Sequence, residues 1–191
     1  MIAGLILAAG EGSRFGPEPK LLAELDGRPL LEHAIRAQCG VPELERVVVV
    51  LGAHRDRLLG AVDFMRAEPV VCENWREGQA ASLRRGLEAL SGAEKVIVTL
   101  GDEPLITSPI VARFASASPG TRALYDGRPG HPVVLGPYHL RALASLSGDH
   151  GARDLLAGGP AIELEGPVDT GRDVDTTEDL ERIRNEARAV V

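Results

Sequence analysis

Ile2-Ala3-Gly4-Leu5-Ile6-Leu7-Ala8-Ala9, followed by Gly10-Glu11-Gly12-Ser13-Arg14-Phe15-Gly16-Pro17-Glu18-Pro19-Lys20-Leu21-Leu22, is the stretch whose reading decides the architecture. Ile2–Ala9 is an unbroken apolar run that stops at glycine, as a buried strand does. Comparable runs recur at Arg46–Leu51, Pro69–Cys72 and Lys95–Leu100. Strands that are apolar without alternation imply a sheet covered on both faces, usually a parallel one.

Segments with helical spacing lie between these strands. Pro29–Gln38 opens on proline, which suits a first helical turn, and Gly40 follows as a stop. His54–Met65 and Gln79–Leu90 are the next two, the latter closed by Ser91-Gly92. Alternating strand and helix predicts an α/β three-layer sandwich with a mostly parallel central sheet. After Gly101 the pattern loosens. A helix from Thr107 or Ser108 to about Ala117 precedes two short strands, Arg122–Tyr125 and Pro132–Leu135, joined by the turn-rich Asp126-Gly127-Arg128-Pro129-Gly130. A helix is expected from Pro137 to about Leu146, a strand at Ile162–Leu164, and a last helix opening at Thr176, where Thr176 and Asp179 have capping-box spacing.

The length of 191 residues fits one domain, with no repeat and no dividing linker. Apolar residues at 44% and charged residues at 26% are the balance of a globular protein. Ile2–Ala9 lacks the basic lead-in of a signal peptide and the length of a membrane span, so a cytoplasmic address is expected. A formal charge of −7 argues against nucleic acid as a partner, which needs a basic face, but leaves room for a small anion held by local cations. Aromatics at 3% also disfavour a base-stacking surface for single strands. Cys39 and Cys72 have neither zinc-ligand spacing nor a secretory context.

In an open parallel sheet ligands gather at the carboxyl ends of the strands, so the loop after Ala9 is where a site is expected. Ala8, Ala9, Gly10 and Gly12 have little side-chain bulk, which lets backbone N–H groups approach phosphate oxygens. Arg14 and Lys20 add charge against a triphosphate. Three readings compete. A tight turn with solvated cations is the plainest. A dinucleotide site is opposed by Gly10, Gly12 and Gly16, one residue off the fingerprint, and by Pro17 and Pro19, which resist the helix that must start there. A nucleoside-triphosphate loop that delivers Lys20 into the phosphates uses more of the residues and is preferred.

Two acidic stretches add a metal. Gly101-Asp102-Glu103-Pro104 sets a carboxylate at a strand's end, where it can hold Mg²⁺ against phosphates; a simple turn aspartate is the alternative. Asp173-Val174-Asp175 precedes the last helix, and helix capping alone is the competing account of Asp175.

Leu7-Ala8-Ala9-Gly10 with Ser13-Arg14-Phe15-Gly16 and Pro19-Lys20-Leu21-Leu22 resembles the signature of the MobA-like nucleotidyltransferases, and within them the molybdenum cofactor cytidylyltransferases. The resemblance implies a Rossmann-like, GT-A-type fold. It implies nucleotide binding by Leu7, Ala8, Ala9, Gly10, Gly12, Ser13, Arg14 and Lys20, with Arg14, Lys20 and Asp102 as the catalytic set. Alanine at position 9, where guanylyltransferase-like members have glycine, points to CTP. Asp102 falls on the family's glycine-aspartate-x-proline metal position, and Asp175 carries over better than Asp173 as a second Mg²⁺ ligand. Gly78 and Ser82, in Glu77–Arg84, match the region of the nucleobase and ribose, although relatives have glycine and serine where Ala80 and Ala81 stand. Gly130-His131-Pro132 resembles a motif beside the acceptor, and Gly148-Asp149-His150-Gly151-Ala152-Arg153 a further one, with histidine where lysine is common. The implied reaction transfers CMP from CTP to molybdopterin, with a molybdoenzyme or its chaperone as a further partner. Residues 1–105 are expected mainly to bind the nucleotide and 106–191 the acceptor. Another phosphorylated acceptor, a non-catalytic nucleotide or pterin carrier, and a nicotinamide-dependent oxidoreductase are the alternatives.

Overall fold

In the computed structural model, which describes residues 1–144, 156, 158–164 and 170–189, the apolar runs form the sheet expected of them. Seven strands lie in the order β5-β4-β1-β6-β8-β7-β9: β1 (Ile2–Ala8), β4 (Arg46–Leu51), β5 (Glu68–Val71), β6 (Lys95–Leu100), β7 (Arg122–Tyr125), β8 (Arg128–Leu135) and β9 (Ala161–Glu163). The pairs β5·β4, β4·β1, β1·β6 and β7·β9 are parallel, and β8 runs antiparallel between β6 and β7. The outer three strands are thus a folded-back extension of a four-strand parallel core. Glu24–Leu25 and Arg28–Pro29, β2 and β3, make a small separate hairpin that the sequence had not suggested.

Side-chain alternation sorts each strand between two layers. Ile6, Ala8, Val47, Val49, Leu51 and Ile97 pack under α1 (Leu30–Cys39), α2 (Arg55–Ala61) and α4 (Ser108–Ala115). Ala3, Leu5, Val48, Val50, Val96 and Val98 pack on the opposite face, beneath α3 (Gln79–Ala89) and α5 (Pro137–Ala144). This is the three-layer arrangement predicted, and α6 (Thr177–Ala189) closes a third cluster with Leu25, Leu30, Val174, Leu180 and Ile183. Alternation also separates the first loop's residues: Ala8 faces the α1 layer, whereas Leu7 and Ala9 face α3.

Most boundaries fall within one or two residues of expectation, and two differ by more. The helix predicted over His54–Met65 ends at Ala61, because Val62 turns extended (φ −105°, ψ 135°) and buries its side chain as loop. The strand predicted to begin at Pro132 begins at Arg128. Asp126 and Gly127, at φ 51° and 73°, complete a two-residue turn by themselves, so Pro129 and Gly130 belong to the ladder. Among the described residues no helix is long and apolar enough to cross a membrane.

Candidate active site

The loop leaving β1 turns on two glycines. Gly12 has φ 64° and lies against the Lys20 stem, a Cβ there falling 3.0 Å from Lys20 Cβ. Gly16 has φ 123°, and the chain between them is pinned by the Phe15 N–H donating to the Gly12 carbonyl at 2.9 Å. Glycine takes such backbone angles without strain. Pro19 then ends the loop, and Lys20–Leu22 form a single 3₁₀ turn rather than the long helix a dinucleotide fold would start here. Lys20 is buried although charged. Its Nζ lies 2.6 Å from Asp102 Oδ2 and 3.2 Å from Asp175 Oδ1, and Arg14 reaches the other Asp175 oxygen at 2.8 Å. Burial works against the ammonium, but the Asp102 and Asp175 carboxylates outweigh it and raise the Lys20 pKa above the ordinary lysine value.

Asp102 and Asp175 meet because the backbone joins their segments. Asp102 follows β6, and its carbonyl accepts the Val174 N–H at 2.9 Å, which lays Asp173–Asp175 beside the strand's end. The capping box holds the other side: Asp179 Oδ2 accepts the Thr176 N–H at 2.8 Å, and the Asp179 N–H donates to Thr176 Oγ1 at 3.2 Å. Asp175 donates its own N–H to Asp179 Oδ2 at 3.1 Å, so its carboxylate is left for the cluster. Asp102, Asp173 and Asp175 offer oxygens within 4.8 Å of one another. An all-carboxylate set of that span suits a hard divalent cation such as Mg²⁺, and the lodging of a cationic ammonium between two of the acids fits the same chemistry. Asp173, the less favoured acid in the sequence, stands in the same cluster.

A cleft of about 590 Å³ opens beside this cluster, over the carboxyl ends of β1 and β6. Leu7, Ala9, Gly10, Leu100 and Asp102 form one side, and Gly78 and Ser82 the other. Gly78, at φ 108°, turns the chain into α3 as its N-cap, and Ser82 is buried on the helix face toward the sheet. Gly12, the exposed Ser13, Arg14 and Lys20 do not line the cleft itself, and Ala8 is 3% exposed with its methyl in the opposite layer, leaving only its backbone for a ligand.

Gly130-His131-Pro132 lies on β8, across from β6. His131 Nδ1 is 3.0 Å from Oε1 of the buried Glu103, the residue after Asp102, and the Tyr125 hydroxyl donates to the His131 carbonyl at 2.6 Å. Burial pushes the Glu103 carboxyl up while His131 pulls against it. Burial opposes the imidazolium, yet Glu103 outweighs that and raises the His131 pKa. Pro132 is buried and joined to His131 by a cis peptide. The motif Gly148–Arg153 lies outside the described residues.

The sequence reading missed Glu103, Trp75 and Arg76. Trp75 and Arg76 complete the cleft wall together with Glu11 and Gln79. The signal available was a lone tryptophan just before the glycine that starts a helix.

A family model described as the MobA-like NTP transferase domain matches residues 4–165. Nicotine blue oxidoreductase of Paenarthrobacter nicotinovorans is 34% identical over 95% of this chain and 96% of its own. Among solved structures, Rv0371c from Mycobacterium tuberculosis H37Rv superposes with a TM-score of 0.85 at 26% identity, covering 96% of this chain and 97% of that one. Its complex with manganese superposes at 0.81 and 25%, over 96% and 98%. A nucleotidyl transferase from Methanothermobacter superposes at 0.79 and 25%, over 100% and 99%.

Proposed function

The chain belongs to the MobA-like NTP transferase family, and from that premise we propose that it transfers CMP from CTP to a phosphorylated acceptor, molybdopterin, releasing pyrophosphate. The family points to a nucleotidyltransferase; the nucleotide, the acceptor and the residue roles are our reading. The observation that carries it is the convergence of Lys20, Arg14, Asp102 and Asp175, from segments far apart in sequence, beside the cleft that Asp102 lines.

An acceptor phosphate is already ionised near neutral pH, so no general base is needed and catalysis rests on in-line placement and charge. Lys20 and Arg14 would leave their carboxylates to hold the β- and γ-phosphates and neutralise the departing pyrophosphate. Asp102 and Asp175, with Asp173 within reach, would hold Mg²⁺. When bound, that ion supplies positive charge against the phosphate oxygens. Leu7, Ala9 and Gly10 would receive the nucleoside end together with Gly78 and Ser82, Ala9 excluding what a glycine would admit. Gly12 and Ser13 would follow the phosphates. Gly130, His131 and Pro132 would border the acceptor, which makes residues 1–105 mainly the nucleotide half and 106–191 mainly the acceptor half.

The test is a panel of the four nucleoside triphosphates with Mg²⁺ and phosphorylated acceptors, molybdopterin and sugar phosphates included, followed by pyrophosphate release. Release with CTP and molybdopterin supports the proposal; binding without release identifies a carrier. The name of the Paenarthrobacter relative favours a second reading, an oxidoreductase. Substrate-dependent oxidation of NAD(P)H, with no pyrophosphate from any triphosphate, is the result that would establish it. The short turn at Lys20–Leu22 speaks against it, since no extended helix N-terminus follows β1 to receive a dinucleotide pyrophosphate.

A further inference from the structure

The two ends of the cleft differ in chemistry. Asp102 marks the charged end; the other carries Trp75, the only tryptophan of the chain, with Arg76. Both sit in the 3₁₀ turn Trp75–Glu77 between β5 and α3. Trp75 is half-buried against the layer that includes Ala9 and Cys72. The end of β4 presses on its base: a Cβ on Gly52 would lie 2.7 Å from Trp75 Cβ and Cγ. The indole is therefore fixed at its root, while the Arg76 guanidinium lies over the ring, 4.4 Å from its centroid.

Arg76 differs from the other arginines around the loop. Arg14 pairs with Asp175, Arg55 with Glu73 and Arg57 with Glu18, so their charges are answered within the protein. Among the described residues no carboxylate pairs with Arg76, and its one contact of this kind is the indole face. A flat aromatic ring and a flat cation with no carboxylate partner, stacked in a cleft that Ala9 and Gly10 also line, form a surface suited to another flat ring. An exposed arginine alone would be ordinary; the fixed indole beneath it is not. Aromatic and guanidinium faces take up nucleobases by stacking, with little regard to which base is present.

We infer that Trp75 and Arg76 form the nucleobase platform of this cleft, the base packing against their stacked pair while the phosphates run toward Lys20 and Asp102. This rests on the nucleotide reading above and adds what that reading lacks, a hydrophobic holding element for the base. It also predicts which part of the nucleotide each end recognises. Inorganic tripolyphosphate needs only the charged end, and CTP needs both.

The experiment measures Mg²⁺-CTP and Mg²⁺-tripolyphosphate binding by calorimetry to the wild type, Trp75→Leu and Arg76→Ala, with tryptophan emission followed in the wild type and Arg76→Ala. Both variants should bind CTP about tenfold or more weakly and tripolyphosphate unchanged. CTP, but not tripolyphosphate, should shift the wild-type emission. Arg76→Ala removes an exposed side chain, so it keeps the test intact if Trp75→Leu fails to fold. Wild-type-like CTP affinity in Arg76→Ala or in folded Trp75→Leu would overturn the inference and leave the nucleotide reading standing. Equal losses for CTP and tripolyphosphate would overturn it too, as the mark of a merely structural role. A wild type that binds tripolyphosphate but no nucleoside triphosphate more tightly would remove both.

Discussion

Replacing Lys20 with methionine keeps the aliphatic stem packed on Gly12 and deletes the ammonium that bridges Asp102 and Asp175. At 2.6 and 3.2 Å, with Lys20 at 10% side-chain exposure and the acids at 19% and 25%, the pairs are partly buried. Removing one partner from a fully buried pair costs about 3–5 kcal/mol; the residual exposure of the acids reduces that here to about 2 kcal/mol. The acids then face each other across the cluster without a counter-charge, and a divalent cation no longer has to displace one. About 2 kcal/mol corresponds to roughly 30-fold in an equilibrium constant. Without nucleotide, Lys20→Met should therefore bind Mn²⁺ roughly 10- to 30-fold more tightly than the wild type, measured as free Mn²⁺ by electron paramagnetic resonance. Turnover should fall in the same variant, because the phosphates lose their cation. Lys20→Arg, which preserves the charge, should bind Mn²⁺ like the wild type. The sign with pH follows from the raised lysine pKa: the ion pair's contribution is complete below 10.5 and is lost only as pH rises through the higher folded value. Unchanged or weaker Mn²⁺ binding in Lys20→Met would refute the idea that this ammonium occupies the cation's place.

Asp102→Asn should lower pyrophosphate release by roughly 10²–10³-fold, as loss of a preorganised charge contact does, with the native circular-dichroism spectrum retained and the melt lowered by a few degrees, because the buried Lys20 ammonium loses its nearer partner. Normal turnover would remove Asp102 from the proposed metal set. Gly86→Val should destabilise the fold by about 2 kcal/mol or more in urea titration, since a Cβ there would lie 2.4 Å from Leu5 Cδ1 and 2.8 Å from Val50 Cγ2, both fully buried. Burial pushes the Asp179 carboxyl up, but hydrogen bonds from Thr176, Arg182 and the Asp175 backbone outweigh it and bring its pKa to about 2. A depressed acid stabilises above its unfolded pKa of 3.8 and stops doing so as pH falls toward 2. Asp179→Asn should accordingly cost about 1–2 kcal/mol at neutral pH, with the gap to wild type closing between pH 4 and 2 in acid titrations.

What could be read from the residues alone follows from how local each cause is. Arg46–Leu51 and Lys95–Leu100 appear as strands at the residues expected of them, because a β-branched run needs no distant partner to declare itself, and Arg122–Tyr125 does so through the Asp126-Gly127 turn that follows it. The error over His54–Met65 has the opposite origin. Val62, Phe64 and Ala67 are apolar for the sake of the α1 layer, and burial asks for hydrophobicity whether the backbone is helical or extended. The same logic divides the site. Lys20, Gly12 and Asp102 announce themselves through glycines, prolines and strand ends, all local devices. The meeting of Asp102 with Asp175 depends on long-range contacts, among them the Val174 N–H on the Asp102 carbonyl and the Lys20 ammonium between the two acids, and no local spacing announces them. Glu103 goes unnoticed for a related reason, since its carboxyl acquires meaning only when β8 folds back antiparallel and sets His131 against it. The fold-back that interrupts the parallel sheet is thus also what sets His131 beside the acid that follows Asp102. An acid at the end of β6 and a histidine on β8 become neighbours only because the chain reverses there.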